Sequence, residues 1–422
     1  MFGSEIAFNP SRHPAPTTAL APLLILPAHV ISSPKVRFFL HHYYTWTSSV
    51  IFPLSGNSNP LREDLLQAAF GTPHLLYAFL ASAASHYARL QEGVAETTYS
   101  AIAAFTHAAL NGLRLALEDP NQACKIETIS TALALCTTDV ISGHHGTWRV
   151  HLSGIQKLIF CALENGVASS VNADPVWMFL VKWYETLDMF AGVSGLGKST
   201  VRYGQYRSMT RAGYIDEFVG CSLDLMPLLA RIGRMARTQR KRKEFLSNAD
   251  DSESEILGRQ IGEEMMDEVC RTERQIYSLL DRKTHPRIAE NPQTKAMADD
   301  MVLTHQTFIY ATLLHLYRRV VELPKQHVKP SYAVCQIVDT LKMLRPESTA
   351  NILILWPVFT AGCETDNLMY REIIEQRMRG MAAFGMGNVS SALKAMIAYW
   401  ESGPNERWDI FLDRQGNDMV LF

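Results

Sequence analysis

Apolar residues recur along this chain with a helical period. Trp148, Leu152, Ile155, Ile159 and Ala162 stand three or four residues apart after the turn-prone run Gly143 to Gly146, so they share one helical face. Leu75, Leu76, Phe79, Leu80, Ala83, Ala84 and Tyr87 form a second stripe. Thr72 and Pro73 precede it, a cap residue followed by a first-turn proline. A third stripe, Phe308, Ile309, Thr312, Leu313, Leu316, Tyr317, Val320 and Val321, is stopped by Pro324. Ile102, Phe105, Ala109 and Leu113 give a fourth. Strict alternation with β-branched enrichment is rare, so little sheet is expected. The predicted class is all-α, a multi-helix bundle or an irregular helical solenoid of antiparallel helices.

Two stretches interrupt the pattern. Ser247 to Glu255 carries no large apolar residue and reads as a loop or linker. Lys283 to Gln293 is looser and holds Pro286 and Pro292. The breaks either separate two lobes, with a split near 246–256, or are surface loops of one helical body. No fixed-period repeat is visible.

Hydrophobic residues make up 47% of the 422, enough for a sizeable core, and charged residues only 19%, too few for a disordered chain. The net charge of −2 gives the whole chain no pull toward nucleic acid. No apolar run reaches the roughly 18–20 residues of a membrane span. The nearest, Leu20 to Ile31, is broken by Pro22 and Pro27 and reads as a loosely ordered Pro-rich leader over residues 1–35. The seven cysteines are Cys124, Cys136, Cys161, Cys221, Cys270, Cys335 and Cys363, and no two lie within ten residues of each other. Zinc sites pair their ligands more tightly. Reduced thiols used as small hydrophobes are the expected role.

Gly192 to Ser199 matches G-x-x-x-x-G-K-[ST]. In a phosphate-binding loop Gly192 and Gly197 would expose backbone N–H groups, Lys198 would neutralise phosphate and Ser199 would hold magnesium. Such a loop follows a buried strand, whereas Trp177, Leu180, Val181, Tyr184 and Leu187 before it are spaced as on a helix. A Gly-rich connection between helices is the preferred reading, with nucleotide binding as the alternative. His144, His145 and His151 gather near Asp139, a spacing that can ligate a metal, but exposed turn histidines beside a packed one is the preferred reading, with no metal site expected. No G-x-S-x-G elbow occurs, and no nucleophile with its base stands out. The strongest basic run holds Arg231, Arg234 and Arg237 on one face, then Arg240, Lys241, Arg242 and Lys243. It is a candidate import or phosphate contact or a solvated helix end.

The segment Trp148-Arg149-Val150-His151-Leu152-Ser153-Gly154 resembles the W-R-x-H-L-x-G element of the fungal-specific transcription factor domain. That domain is the middle region of fungal zinc-cluster regulators. Phe38 to Tyr44 is similar to its L-x-H-Y start, and Asn59 to Arg62 with Leu75 to His86 to its N-P-x-R and A-A-x-H block. Ile215-Asp216 with Val219 to Ser222 resembles I-D-x-x-x-G-C-S, and Leu355 to Phe359 with Ala361 to Glu364 resembles W-P-x-F-x-A-G-C-E. The blocks run in order over residues 36–402, leaving a tail at 403–422.

The resemblance implies an all-α regulatory body in a nuclear transcriptional regulator, not an enzyme, with no cofactor. Trp148, Arg149, His151, Trp356 and Pro357 are then motif residues with structural roles. Such regulators carry six clustered cysteines before this region, and here the first cysteine is Cys124. The expectation is a regulator without its own zinc-cluster reader, contacting DNA weakly or through a partner. A DNA-binding regulator, a second copy of the chain and a small effector are the expected partners. A metabolic or secondary-metabolite gene cluster is the expected target.

Overall fold

A computed structural model of the chain describes residues 33–55, 58–91, 93, 95–143, 147–164, 174–193, 213–247, 252–289, 292–403, 406–417 and 419–421. The chain divides into two compact units, Met1–Leu187 with Arg379–Ser391, and Asp188–Met378 with Ala392–Phe422.

In the first unit, α1 (Pro34–His42) opens with Ser33, whose hydroxyl accepts from the Val36 N–H, and with a first-turn proline. It runs on through a π-helical turn, Tyr43–Thr47, and a short helix, Ser48–Ile51. Pro60–Glu63 is capped reciprocally: Asn59 Oδ1 accepts from Leu61 N–H at 3.0 Å, and Glu63 Oε1 accepts from Asn59 N–H at 3.2 Å. Then come α2 (Pro73–Leu90), α3 (Glu96–Glu118), α4 (Ile126–Ser142), α5 (Trp148–Glu164) and α6 (Pro175–Val193).

The α2 helix is buried from Leu75 almost without a break to His86. Small residues on it, Ala78, Ala81, Ser82, Ala83 and Ala84, let α3 and α4 approach closely. Thr72 takes the cap position, although its hydroxyl caps no N–H. The α4 helix is similarly enclosed. Its Ser130, Thr131 and Thr138 hydroxyls donate to carbonyls four residues back at 2.7–2.8 Å, so burial leaves them satisfied. Gly143 ends α4 at φ +70°, and a Cβ there would stand 2.9 Å from the Gly387 backbone. Both positions therefore need glycine.

The second unit holds β1 (Tyr214–Ile215) and β2 (Lys283–Thr284), a parallel two-residue pairing. Its helices are α7 (Leu225–Ser247), α8 (Ser252–Tyr277), α9 (Pro292–Arg319), α10 (Val328–Met343), α11 (Leu355–Cys363), α12 (Leu368–Ala382), α13 (Gly387–Glu401) and α14 (Trp408–Arg414). A 3₁₀ turn, Thr349–Ile354, leads into α11. The boundary residues of the two units fall inside α6, α12 and α13. The axis of the second unit is α9, packed against α7, α8, α10 and α11.

The fold is all-α, as the periodicity predicts. The polar break is narrower than its composition suggests, because α7 extends to Ser247 and α8 already begins at Ser252. A polar N-terminal turn needs no apolar residue of its own once the following turns are anchored.

Candidate functional site

The W-R-x-H-L-x-G segment builds the start of α5. Trp148 is 2% exposed, and the Cys136 thiol on α4 donates to its carbonyl at 3.5 Å. The Arg149 guanidinium lies 4.2 Å from the centre of the Trp148 ring. Thr147 donates to Asp139 Oδ2 at 2.7 Å, and His151 Nε2 stands 3.8 Å from the same oxygen. Burial lowers the His151 pKa while the Asp139 carboxylate opposes the shift. The geometry is a staple closing the α4–α5 hairpin. His144 and His145 lie outside the described residues. No group of three metal-ligating side chains occurs among the described residues.

A buried relay of two motif histidines, His42 of the L-x-H-Y block and His86 of the A-A-x-H block, lies elsewhere in this unit. His86 Nε2 donates to the Phe384 carbonyl at 3.0 Å. That bond fixes the tautomer, leaving Nδ1 to accept. His42 Nε2 and the Thr47 hydroxyl both approach Nδ1 at 3.1 Å. Burial, then the neighbouring histidine charges of His86 and His41, pulls the His42 pKa down to about 3. Burial pulls His86 down to about 4, with the Phe384 carbonyl bond opposing. Gly385 sits at φ +78°, and a Cβ there would meet His86 Cδ2 at 2.7 Å. The relay ties the end of α1 to α2 and to the turn before α13, all in neutral form. His305 serves a similar end in the second unit, where Nε2 donates to the Leu279 carbonyl at 2.7 Å and Nδ1 accepts from the Ser222 N–H at 3.3 Å. His107 is exposed.

The second W-P motif opens α11. Trp356 is fully buried and Pro357 occupies the first turn, where its missing N–H costs nothing. Trp356 packs against Phe308 and His315 at ring-centre distances of 6.0 and 5.8 Å. Near it lies a cluster of buried charge. Arg319 Nε stands 3.5 Å from Asp409 Oδ2 and its guanidinium lies over Trp408 at 4.8 Å. Arg407 grips Asp409 through two bonds of 3.1 and 3.2 Å. Burial alone would raise the Asp409 pKa, but Arg319 and Arg407 hold it down to about 2. Arg318 donates to Glu364 at 2.6 Å.

The structure splits the basic tetrad. Arg242 Nε donates to the Gly258 carbonyl on α8 at 2.6 Å, and Nη1 donates to Gln239 at 3.0 Å. Its guanidinium lies over Gly262, where a Cβ would stand 2.9 Å from Nη2. Gly262 thus leaves room for the arginine, while the space at Gly258, one turn earlier, is filled by Leu246. Lys243 pairs with Glu322. Arg240 and Lys241 are exposed and make no hydrogen bond or ion pair among the described residues. Gly192 closes the last turn of α6, a helix where a phosphate-binding loop would require a strand. Gly197, Lys198 and Ser199 lie outside the described residues.

These features define a helical body whose motif residues act in packing. The model of the Fungal specific transcription factor domain matches residues 38–422, and the chain belongs to that family of transcriptional regulators. Neither the curated proteins nor the solved structures give a match. No helix among the described residues is long and apolar enough to cross a membrane.

Proposed function

We propose that this chain is a nuclear transcriptional regulator that works by protein and effector contact through its two helical units, controlling a metabolic or secondary-metabolite gene cluster. One observation carries the reading: the family match extends over both units, from residue 38 to residue 422. These 422 residues hold no closely spaced cysteine pair of the kind that clamps zinc, and their net charge is −2. In this reading these residues reach DNA through a partner, a DNA-binding regulator or a second copy assembled on one.

The test is a binding titration of the purified chain on promoter DNA, alone and with the candidate partner, over a range of salt. Retention of DNA only in the partner's presence supports the reading. Binding by the chain alone, with an affinity falling steeply as salt rises, overturns the proposed indirect contact. Entry to the nucleus is assigned to Arg240 and Lys241, the two cations of the tetrad with no hydrogen bond or ion pair among the described residues. A fluorescent fusion of the chain in which both are glutamine should lose nuclear accumulation, and an unchanged distribution removes that assignment.

A further inference from the structure

We propose that Cys124 and Cys161 are a reversible disulfide switch that closes the open end of the α4–α5 hairpin in response to hydroperoxide.

The two residues are 37 positions apart, and their sulfurs stand 2.7 Å from each other. A covalent disulfide spans about 2.05 Å, so small side-chain adjustments bring the pair to bonding distance. The hairpin explains the meeting. Cys124 follows the short helix Pro120–Ala123, two residues before α4 begins. The α4 helix runs out to Ser142, and α5 returns from Trp148. Cys161 lies in the last turn of α5 and so arrives beside the start of α4. At the turn end the hairpin is already closed by Thr147 on Asp139 and by the Cys136 thiol on the Trp148 carbonyl. At the other end this sulfur pair faces itself.

The two cysteines differ as a reacting and a resolving thiol should. Cys161 is partly exposed, within reach of a small oxidant, and Cys124 is 4% exposed behind it. No set of three metal-ligating groups occurs among the described residues. The other cysteines differ. Cys136, Cys221 and Cys363 are buried, burial pushes all three thiols up, and none has a sulfur partner among the described residues. Cys270 is exposed without a neighbouring cysteine among the described residues.

The chemistry balances with a hydroperoxide as oxidant. The Cys161 thiolate attacks the O–O bond, a sulfur–oxygen bond forms, and the leaving hydroxide takes up the thiol proton as water. Cys161 is now a sulfenic acid. The Cys124 thiolate attacks that sulfur, the S–S bond forms, the S–O bond breaks, and a second water leaves with the second thiol proton. With hydrogen peroxide, two thiols and one peroxide give one disulfide and two waters. A dithiol reductant reverses the change by exchange.

The experiment uses the full chain. It is treated with a small excess of hydrogen peroxide, alkylated, digested without reductant and analysed by mass spectrometry, and its melting is followed in parallel. The expected product is a cross-linked peptide pair containing Cys124 and Cys161, lighter than the two thiol peptides by two hydrogens and released by dithiothreitol. Closing a loop of this length should raise the melting temperature by roughly 5–10 °C. Cys161→Ser should leave Cys124 fully alkylated and remove the shift, while the wild-type mass measurement stands even if that variant folds poorly. Alkylation of both cysteines in the oxidised wild type, or cross-links formed only through Cys270 between molecules, overturns the proposal.

Discussion

The two units each bury a polar cluster, and the two clusters differ in kind. The first encloses His42 and His86 as neutral rings, joined to each other, to the Thr47 hydroxyl and to one backbone carbonyl. The second encloses ions: Asp409, 1% exposed, held by Arg319 and Arg407. A neutral relay avoids the desolvation of charge, and its weakness is that protonation creates charge where none can be hydrated. An ionic cluster has already met that cost through pairing, and its weakness is the loss of one partner. The first should fail by titration and the second by truncation.

The largest effect expected from this contrast is at Asp409. Asp409→Ala removes the carboxylate from beside the buried Arg319 and leaves Arg407 only Glu322, which should lower stability by about 3–5 kcal/mol. Urea unfolding followed by circular dichroism measures it. A loss below 1 kcal/mol would mean that the cluster is hydrated and not buried as described.

Next is the turn that presents the carbonyl to His86. Gly385→Ala combines a left-handed backbone with a Cβ placed 2.7 Å from His86 Cδ2 and 2.9 Å from Leu90 Cδ2, at a cost of about 1–3 kcal/mol. A neutral result in the same unfolding assay would show that the relay tolerates displacement.

The acid limb sharpens the contrast further. A histidine whose pKa is lowered by folding binds more protons when unfolded, so its stability contribution is present above the unfolded pKa and is lost as pH falls below it. For His42 and His86 the loss starts near pH 6.5 and continues toward the folded values of about 3 and about 4. Each contributes a loss of up to about 2 kcal/mol between pH 6.5 and pH 5. Asp409 has the same sign of dependence in a lower window. Its contribution holds until pH falls to about 4 and disappears toward about 2. His74 and His151 in the first unit, and His305 and His315 in the second, are lowered as well, so wild-type curves alone do not separate the units. Substitution does: His42→Gln keeps a donor for His86 Nδ1 without the titration, and should shallow the decline between pH 6.5 and 5. An unchanged slope would detach His42 from acid sensitivity.

What the sequence disclosed follows the same division between local and distant causes. The stripe Trp148, Leu152, Ile155, Ile159 and Ala162 is the set that α5 buries, because a helix facing one side of a core writes its contacts at its own period. The stripe before Pro324 holds too, with Val321 only half-buried once α9 has ended at Arg319. On α3, Ala101 rather than Ile102 completes the buried face, since the apolar type is ambiguous where alanine and isoleucine adjoin. Arg242 is unreadable as a structural arginine because what receives it, the Gly258 carbonyl and the space over Gly262, belongs to another helix. Cys124 and Cys161 likewise look scattered until α4 and α5 fold back on each other. The histidine relay combines three segments, and no single window of sequence contains it.

The smallest expected effect tests whether the basic run is one feature or two. Arg242→Ala removes a bond to a backbone carbonyl and one to Gln239, and should lower stability by about 1–2 kcal/mol. Arg240→Gln with Lys241→Gln removes exposed charge that contacts no acidic partner among the described residues, and should change stability by less than about 0.5 kcal/mol. If both variants destabilise equally, the run acts as a unit and its exposed pair belongs to the packing of α7 on α8. If they separate as stated, Arg240 and Lys241 have no structural task here. Their charge is then available for a partner, and a change of location in the double variant reports recognition, not unfolding.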